Sequence, residues 1–169
     1  MSSGCTYDAV SILGFGDPSA EALPQAGEII LRYGGWSLQE LRDSAIGKKL
    51  MHRQDWYSKF PWGSEKLPPG TYRLRLPIPD SNRKSFAEQE QMLSEGEQIA
   101  PVVLVASALL AHQVQADSDL LRGNWTRCRE QTTAGDCVAL GWGVHWLYVR
   151  KEWGHIRSDC VWSSSVRTS

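Results

Sequence analysis

Five side chains near the C-terminus have metal-ligand chemistry: Cys128, Cys137, His145, His155 and Cys160. Structural zinc sites bring ligands in close pairs, because two ligands on one turn hold the ion at small entropic cost. Here the gaps are long and no Cys-x₂-Cys pair occurs. On a hairpin centred at Ala134-Gly135, Cys137 is expected to face Thr132 rather than Cys128. Buried free cysteines fit this spacing better, so neither a metal nor a cofactor is expected.

A second set is acid–base chemistry. His52, Asp55 and Tyr57 fall within six residues, "HRQDWY", and perturbed groups of that kind mark functional sites. The alternative is an Asp that caps a turn and a Tyr that packs. "SNRKS" (81–85) precedes a helix start, where amides and cations can meet an anion. The capping box of Ser85 and Glu88 already uses that end, so a solvated loop is the simpler reading. No Gly-x-Ser-x-Gly elbow, His-Glu-x-x-His or Gly-x-x-x-x-Gly-Lys occurs, which removes the commonest hydrolase and nucleotide-binding signatures.

The third set is aromatic. "LGWGVHWLYVRKEWGH" (140–155) holds three tryptophans, a tyrosine, two histidines and two cations. If 145–152 is a strand, Leu147 and Val149 share one face and Trp146, Tyr148 and Arg150 the other. In "TRCREQ", Arg127 and Arg129 share a face opposite Cys128. With Cys128 inward, both arginines would join Trp146 and Tyr148 on an outer face. Such a face can stack bases or sugars. It can equally be a lattice of arginines over tryptophans that only stabilises the sheet.

The elements that must position these groups follow from periodicity. The first 18 residues, with weak pattern and many small residues, read as a loose lead-in, and residues 19–169 as one domain. "AEALPQAGEIILRY" (20–33) reads as a helix with Gly34-Gly35 as its left-handed end. "SLQELRDSAIG" opens on a capping box, Ser37 with Glu40. Residues 52–70 read as irregular chain packed through Trp56, Phe60 and Trp62. "TYRLRLPIP" alternates as a half-buried strand that Pro77 and Pro79 end or hold at an edge. Ser85 starts another capped helix. "APVVLVASALLAHQVQA", apolar nearly all round, is expected to be the buried centre, with Ser107 bonded back to the Val103 carbonyl. After Leu121 the period becomes two, and "WTRCREQT", "CVALGW", "HWLYVRKEW" and "CVWSSSVR" read as four strands. The expected class is α+β: a helical N-terminal half packed on a C-terminal antiparallel sheet of about four strands.

Composition sets outer limits. The net charge of −1 provides no bulk field toward nucleic acid or anionic lipid. Residues 1–121 carry 11 Lys/Arg against 15 Asp/Glu, and residues 122–169 carry 7 against 4. No run is long enough for a membrane helix. The opening segment lacks the pattern of a secretory leader, and four scattered cysteines suit a reducing interior. A cytoplasmic protein is expected.

The segments "QDWY", "LPPGTYRLRLP" and "SFAEQ", the pair Arg127-Cys128 and the closing "SVRTS" together resemble an uncharacterised family of bacterial hypothetical proteins over roughly residues 37–169. That family has no assigned activity, so the resemblance implies a complete bacterial domain and transfers no functional residue. Two readings of function therefore stand. One is a non-catalytic module that binds a protein or single-stranded nucleic acid through Trp146, Tyr148, Arg150, Arg127 and Arg129. The other is a small enzyme with an acid–base site near His52, Asp55 and Tyr57.

Overall fold

The computed structural model describes residues 5–9 and 28–168. Two sheets clasp one helix. The first sheet has the order β1-β2-β3-β9-β4, formed by β1 (Cys5–Asp8), β2 (Glu28–Tyr33), β3 (Gly70–Arg75), β4 (Gln98–Ile99) and β9 (Ser165–Thr168). The second has the order β7-β6-β5-β8, from β5 (Trp125–Gln131), β6 (Cys137–Trp142), β7 (Leu147–Glu152) and β8 (Val161–Ser163). The class is α+β, but with two sheets rather than a helical half over a single one.

The largest correction is β2. Residues 28–33 of the expected helix are a strand, parallel to β1 and antiparallel to β3. Residues 20–27 of that expectation, and most of the expected 1–18 lead-in, lie outside the described residues; Cys5–Asp8 form β1. A strand with sheet neighbours on both sides and Ile29, Ile30 and Leu31 all buried reads as a continuous apolar run. Such a run cannot be told from a buried helix turn by period alone. Gly35 does adopt positive φ, +92°, but it ends a strand. β3 ends at Arg75, before Pro77 and Pro79, the first of the two expected alternatives; it is not an edge strand, because β9 pairs with its other side.

The two capping boxes form as the sequence dictates. The Ser37 hydroxyl accepts from the Glu40 amide, and Ser85 accepts from Glu88. The first opens α1 (Leu38–Asp43), which breaks at Ser44 into α2 (Ala45–Leu50). Ser44 is extended and caps α2 by accepting from the Gly47 amide. Gly47 lets the two helices close on each other, since a Cβ there would lie 2.0 Å from the Leu41 carbonyl oxygen. A short turn α3 (Pro61–Ser64) follows, and Ser85 opens α4 (Phe86–Glu90).

The central element is α5 (Val102–Ala116), whose residues Val102–Ala111 are all buried. It touches β1 and β2 of one sheet and β5 and β6 of the other. Ser107 donates to the Val103 carbonyl at 2.7 Å and accepts from Trp36 Nε1 at 3.0 Å, so it is structural. The serine run becomes legible here. Ser163, Ser164 and Ser165 are fully buried, and the chain passes from the second sheet to the first at Ser164. Small side chains let the strand cross between layers. Ser164 also closes the crossing, accepting from Thr126 Oγ1 at 3.1 Å and, through its carbonyl, from the Ala100 amide at 2.9 Å.

Candidate binding surface

Register defines the outer face of the second sheet. Trp125 lies opposite Gly141, and Gly141 opposite Tyr148; one row along, Arg127, Ala139 and Arg150 align. The central strand β6 contributes only Gly141 and Ala139 to these rows, so side chains from both neighbours lie across it. A methyl at Gly141 would stand 2.7 Å from the Trp125 ring, and one at Gly143 2.5 Å from the Tyr148 ring. Arg150 stacks on Trp125, its guanidinium 3.8 Å from the ring centroid, and pairs with Glu152. The expected Arg-over-Trp lattice therefore exists at Arg150, as an internal contact.

Arg127 departs from the expectation of an accessible arginine. It is fully buried. Its guanidinium donates to the carbonyls of Lys84, Trp153 and Ile156 at 3.0, 3.1 and 2.6 Å and to Gln89 Oε1 at 3.2 Å. The face is the expected one, but α4 and the 153–158 loop cover it. Phe86 of α4 packs with Cys137 and Ile99, and its amide donates to the Gly154 carbonyl. Burial pushes the guanidinium's pKa below its ordinary value; even so, four acceptors hold the charge. Arg129 is exposed, but its row lies away from Trp146, beyond a register shift between Arg127 and Gln131. Its guanidinium is 3.6 Å from Glu130. Neither arginine joins Trp146.

The opposite end of the face is open. Val144 and Trp146, in the turn between β6 and β7, are 80% and 42% exposed. Trp146 makes edge contacts with His52 at 5.9 Å and His145 at 5.8 Å, and His52 stacks on Tyr148 at 4.4 Å. His52 thus belongs to this aromatic group. The 51–56 segment holds it there by guarding the β7 edge. Met51 bridges Leu147, and the His52 amide donates to the Leu147 carbonyl. Gln54 Oε1 accepts from the Val149 amide, and Trp56 Nε1 donates to the Val149 carbonyl. Edge groups satisfied in this way are not offered to another strand.

Asp55 and Tyr57 converge on Arg42 instead. The guanidinium is 3.6 Å from Asp55, bonds Asp43 at 3.0 Å and sits 5.5 Å from the Tyr57 ring centroid. Burial raises the Tyr57 pKa, with the Arg42 charge opposing. Its hydroxyl is buried and has no hydrogen-bond partner among the described residues. Arg42, Asp43, Gly47, Lys48, Met51, Arg53 and Asp55 line a concavity of about 330 Å³. His52 and Tyr57 do not line it, so the three residues of the acid–base reading do not share one cleft. The aromatic 56–62 segment packs as expected, Phe60 on Trp62 at 5.4 Å and Trp56 on Trp62 at 5.8 Å.

Among the described residues no group of three or more His, Cys, Asp or Glu is placed to hold a metal ion. Cys128 and Cys137 are buried thiols whose pKa values burial raises, that of Cys137 to about 11. Cys137 pairs with Gln131, one residue from the expected Thr132, because the hairpin closes through Thr132 and Asp136. At "SNRKS", Arg83 is paired with Asp159. One buried group escaped sequence reasoning. Glu130 is 8% exposed and accepts from the Val102 amide at 2.8 Å, capping α5 from a distant strand. The available signal was Pro101, which offers no side-chain cap of its own.

No family model, curated protein or solved structure matches the chain. No helix among the described residues is long and apolar enough to cross a membrane.

Proposed function

We propose that this chain is a non-catalytic binding module whose contact surface is the open end of the second sheet, and that its ligand is single-stranded nucleic acid. The observation that carries this reading is Trp146. It is 42% exposed, yet held at its edges by His52 and His145, and His52 is itself stacked on Tyr148. An aromatic that is presented and braced in this way meets a flat ring with little ordering cost. The chain that leads into and through the paired 51–56 segment carries exposed Lys48, Lys49 and Arg53, positive charge close in sequence to His52 in a chain of net charge −1. Of the five residues named from sequence, Trp146 and Tyr148 form the contact surface. Arg150 braces it through Trp125, and Arg127 and Arg129 lie outside it.

The acid–base alternative has less support, because His52 stacks on Tyr148 while Asp55 and Tyr57 turn toward Arg42. Fluorescence anisotropy with a labelled oligothymidylate tests the proposal. Saturable binding should weaken by ~1–3 kcal/mol with Trp146→Ala and fall as salt rises. Binding that ignores Trp146→Ala, or no saturable binding at all, would refute it. A protein ligand would instead give a few dominant aromatic anchors and a weaker salt dependence.

A further inference from the structure

We infer that the concavity between α1, α2 and the 51–55 segment is a phosphoryl-oxyanion site, with Lys48 and Arg53 as its contacts. The inference takes its ligand from the nucleic-acid reading above and supplies the half of that ligand which Trp146 cannot hold.

Five charged side chains line the concavity, and they are not equivalent. Arg42 is spent. It bonds Asp43 through two nitrogens, at 3.0 and 3.3 Å, donates to the Gln54 carbonyl at 3.1 Å and lies 3.6 Å from Asp55. Arg42 is thus shared between the two carboxylates, and the lining's three cations and two carboxylates leave one net positive charge. Lys48 and Arg53 have no hydrogen bond or ion pair among the described residues. Both bear electrostatically on Asp43 and, with Arg42, hold its carboxyl below the ordinary carboxylate range. Both also line the concavity, so two cations with no hydrogen bond or ion pair of their own face it while their field reaches Asp43.

The local fold brings them together. Gly47 lets α2 lie against the last turn of α1, which sets Lys48 beside the Arg42–Asp43 pair. Met51 then bridges to Leu147, which turns the chain so that Arg53 returns to the same wall. That bridge also joins the concavity to the strand following Trp146. A ring on Trp146 and an anion between Lys48 and Arg53 can thus belong to one ligand. Two cations outside the Arg42–Asp43–Asp55 cluster, with one net positive charge over the lining, suit a compact oxyanion, because each donor is charged and no ion pair must be broken to reach it.

Inorganic phosphate is the first probe, followed by amide NMR of the full chain in millimolar titrations. Saturable shifts confined to residues 47–55 are expected. Lys48→Gln or Arg53→Gln should weaken binding by about tenfold, while Lys59→Gln, in the neighbouring turn, should leave it unchanged. All three side chains are exposed, so loss of folding does not confuse the result. A phosphate response that does not saturate, or that the two variants share with Lys59→Gln, would overturn the site. Oligothymidylate is the second probe. If Trp146→Ala weakens oligothymidylate but not phosphate, both readings stand. If phosphate binds and oligothymidylate does not, the oxyanion site stands and the nucleic-acid reading falls. If oligothymidylate binds with no dependence on Lys48 or Arg53, the oxyanion site falls alone.

Discussion

The two ends of one sheet face have opposite fates. At one end Arg127 lies under α4 and the 153–158 loop, fully buried, every contact made to the protein's own backbone and Gln89. At the other, Trp146 stands in solvent, braced by two histidines. Strand parity chooses the face, and it treats both ends alike. What separates them is the rest of the chain. The Ser85 capping box starts a helix over the first end, while the 51–56 segment guards the strand edge at the second and leaves the face uncovered. An arginine and a tryptophan on one face are thus a structural peg and a contact surface, according to what covers each.

The comparison breaks most visibly at the closed end. Arg127→Ala should cost ~3–5 kcal/mol in chemical denaturation, because three carbonyls and a glutamine lose a charged donor in a buried setting. Arg129→Ala, exposed two residues away, should stay within ~0.5 kcal/mol. Equal costs for the two would mean that Arg127 is not the peg.

At the boundary between the ends, Gly141→Ala should cost ~1–3 kcal/mol. Its methyl would stand 2.7 Å from both the Asn124 carbonyl oxygen and the Trp125 ring. The Trp125–Arg150 stack should loosen with it, seen as a change in near-ultraviolet circular dichroism. A neutral substitution would show that the ladder across β6 is not close-packed.

Glu130 sharpens the account of the core beneath. Its carboxyl pKa is raised by burial to about 6 from 4.5, with the Val102 amide and Arg129 opposing the shift and Glu65 adding to it; the Cys128 thiol also lies within its field. A carboxyl whose folded pKa lies above its unfolded value holds its proton more tightly in the fold. The stability this group contributes is therefore fully present below about pH 4.5, falls as pH rises to about 6, and is then lower by about 2 kcal/mol. Glu130→Gln keeps an acceptor for the Val102 amide and should be more stable than the parent by about that amount at neutral pH. Thermal melts from pH 4 to pH 8 should show the parent's slope and a flatter variant. A variant less stable at neutral pH would contradict it.

Much of the fold was readable, and the failures have causes. Both capping boxes, the buried α5, the Ser107 back-bond and the strands after Leu121 follow from local chemistry. The strand Glu28–Tyr33 did not, because a run buried on both faces has no alternation to read. The division of 161–168 between two sheets was hidden as well, since serines in a crossing look like serines in a loop. At the candidate site, parity placed Tyr148 and Arg150 correctly relative to Leu147 and Val149. It could not tell that Arg127 is covered, because the cover comes from α4, about forty positions earlier, and from the 153–158 loop, 26 or more positions later. His52 was singled out for acid–base chemistry, and its ring partner Tyr148 lies 96 positions away. No local spacing reveals such a pairing.

The central claim, that the open end is where ligand is met, is tested most directly with fluorotryptophan. In protein labelled uniformly, the Trp146 resonance is assigned by its loss in Trp146→Phe, a change expected to shift stability by less than ~0.5 kcal/mol. On adding oligothymidylate, the Trp146 signal should shift saturably while that of buried Trp142 stays fixed. A titration that moves Trp142, or that leaves Trp146 unmoved while ligand binds, would contradict the account.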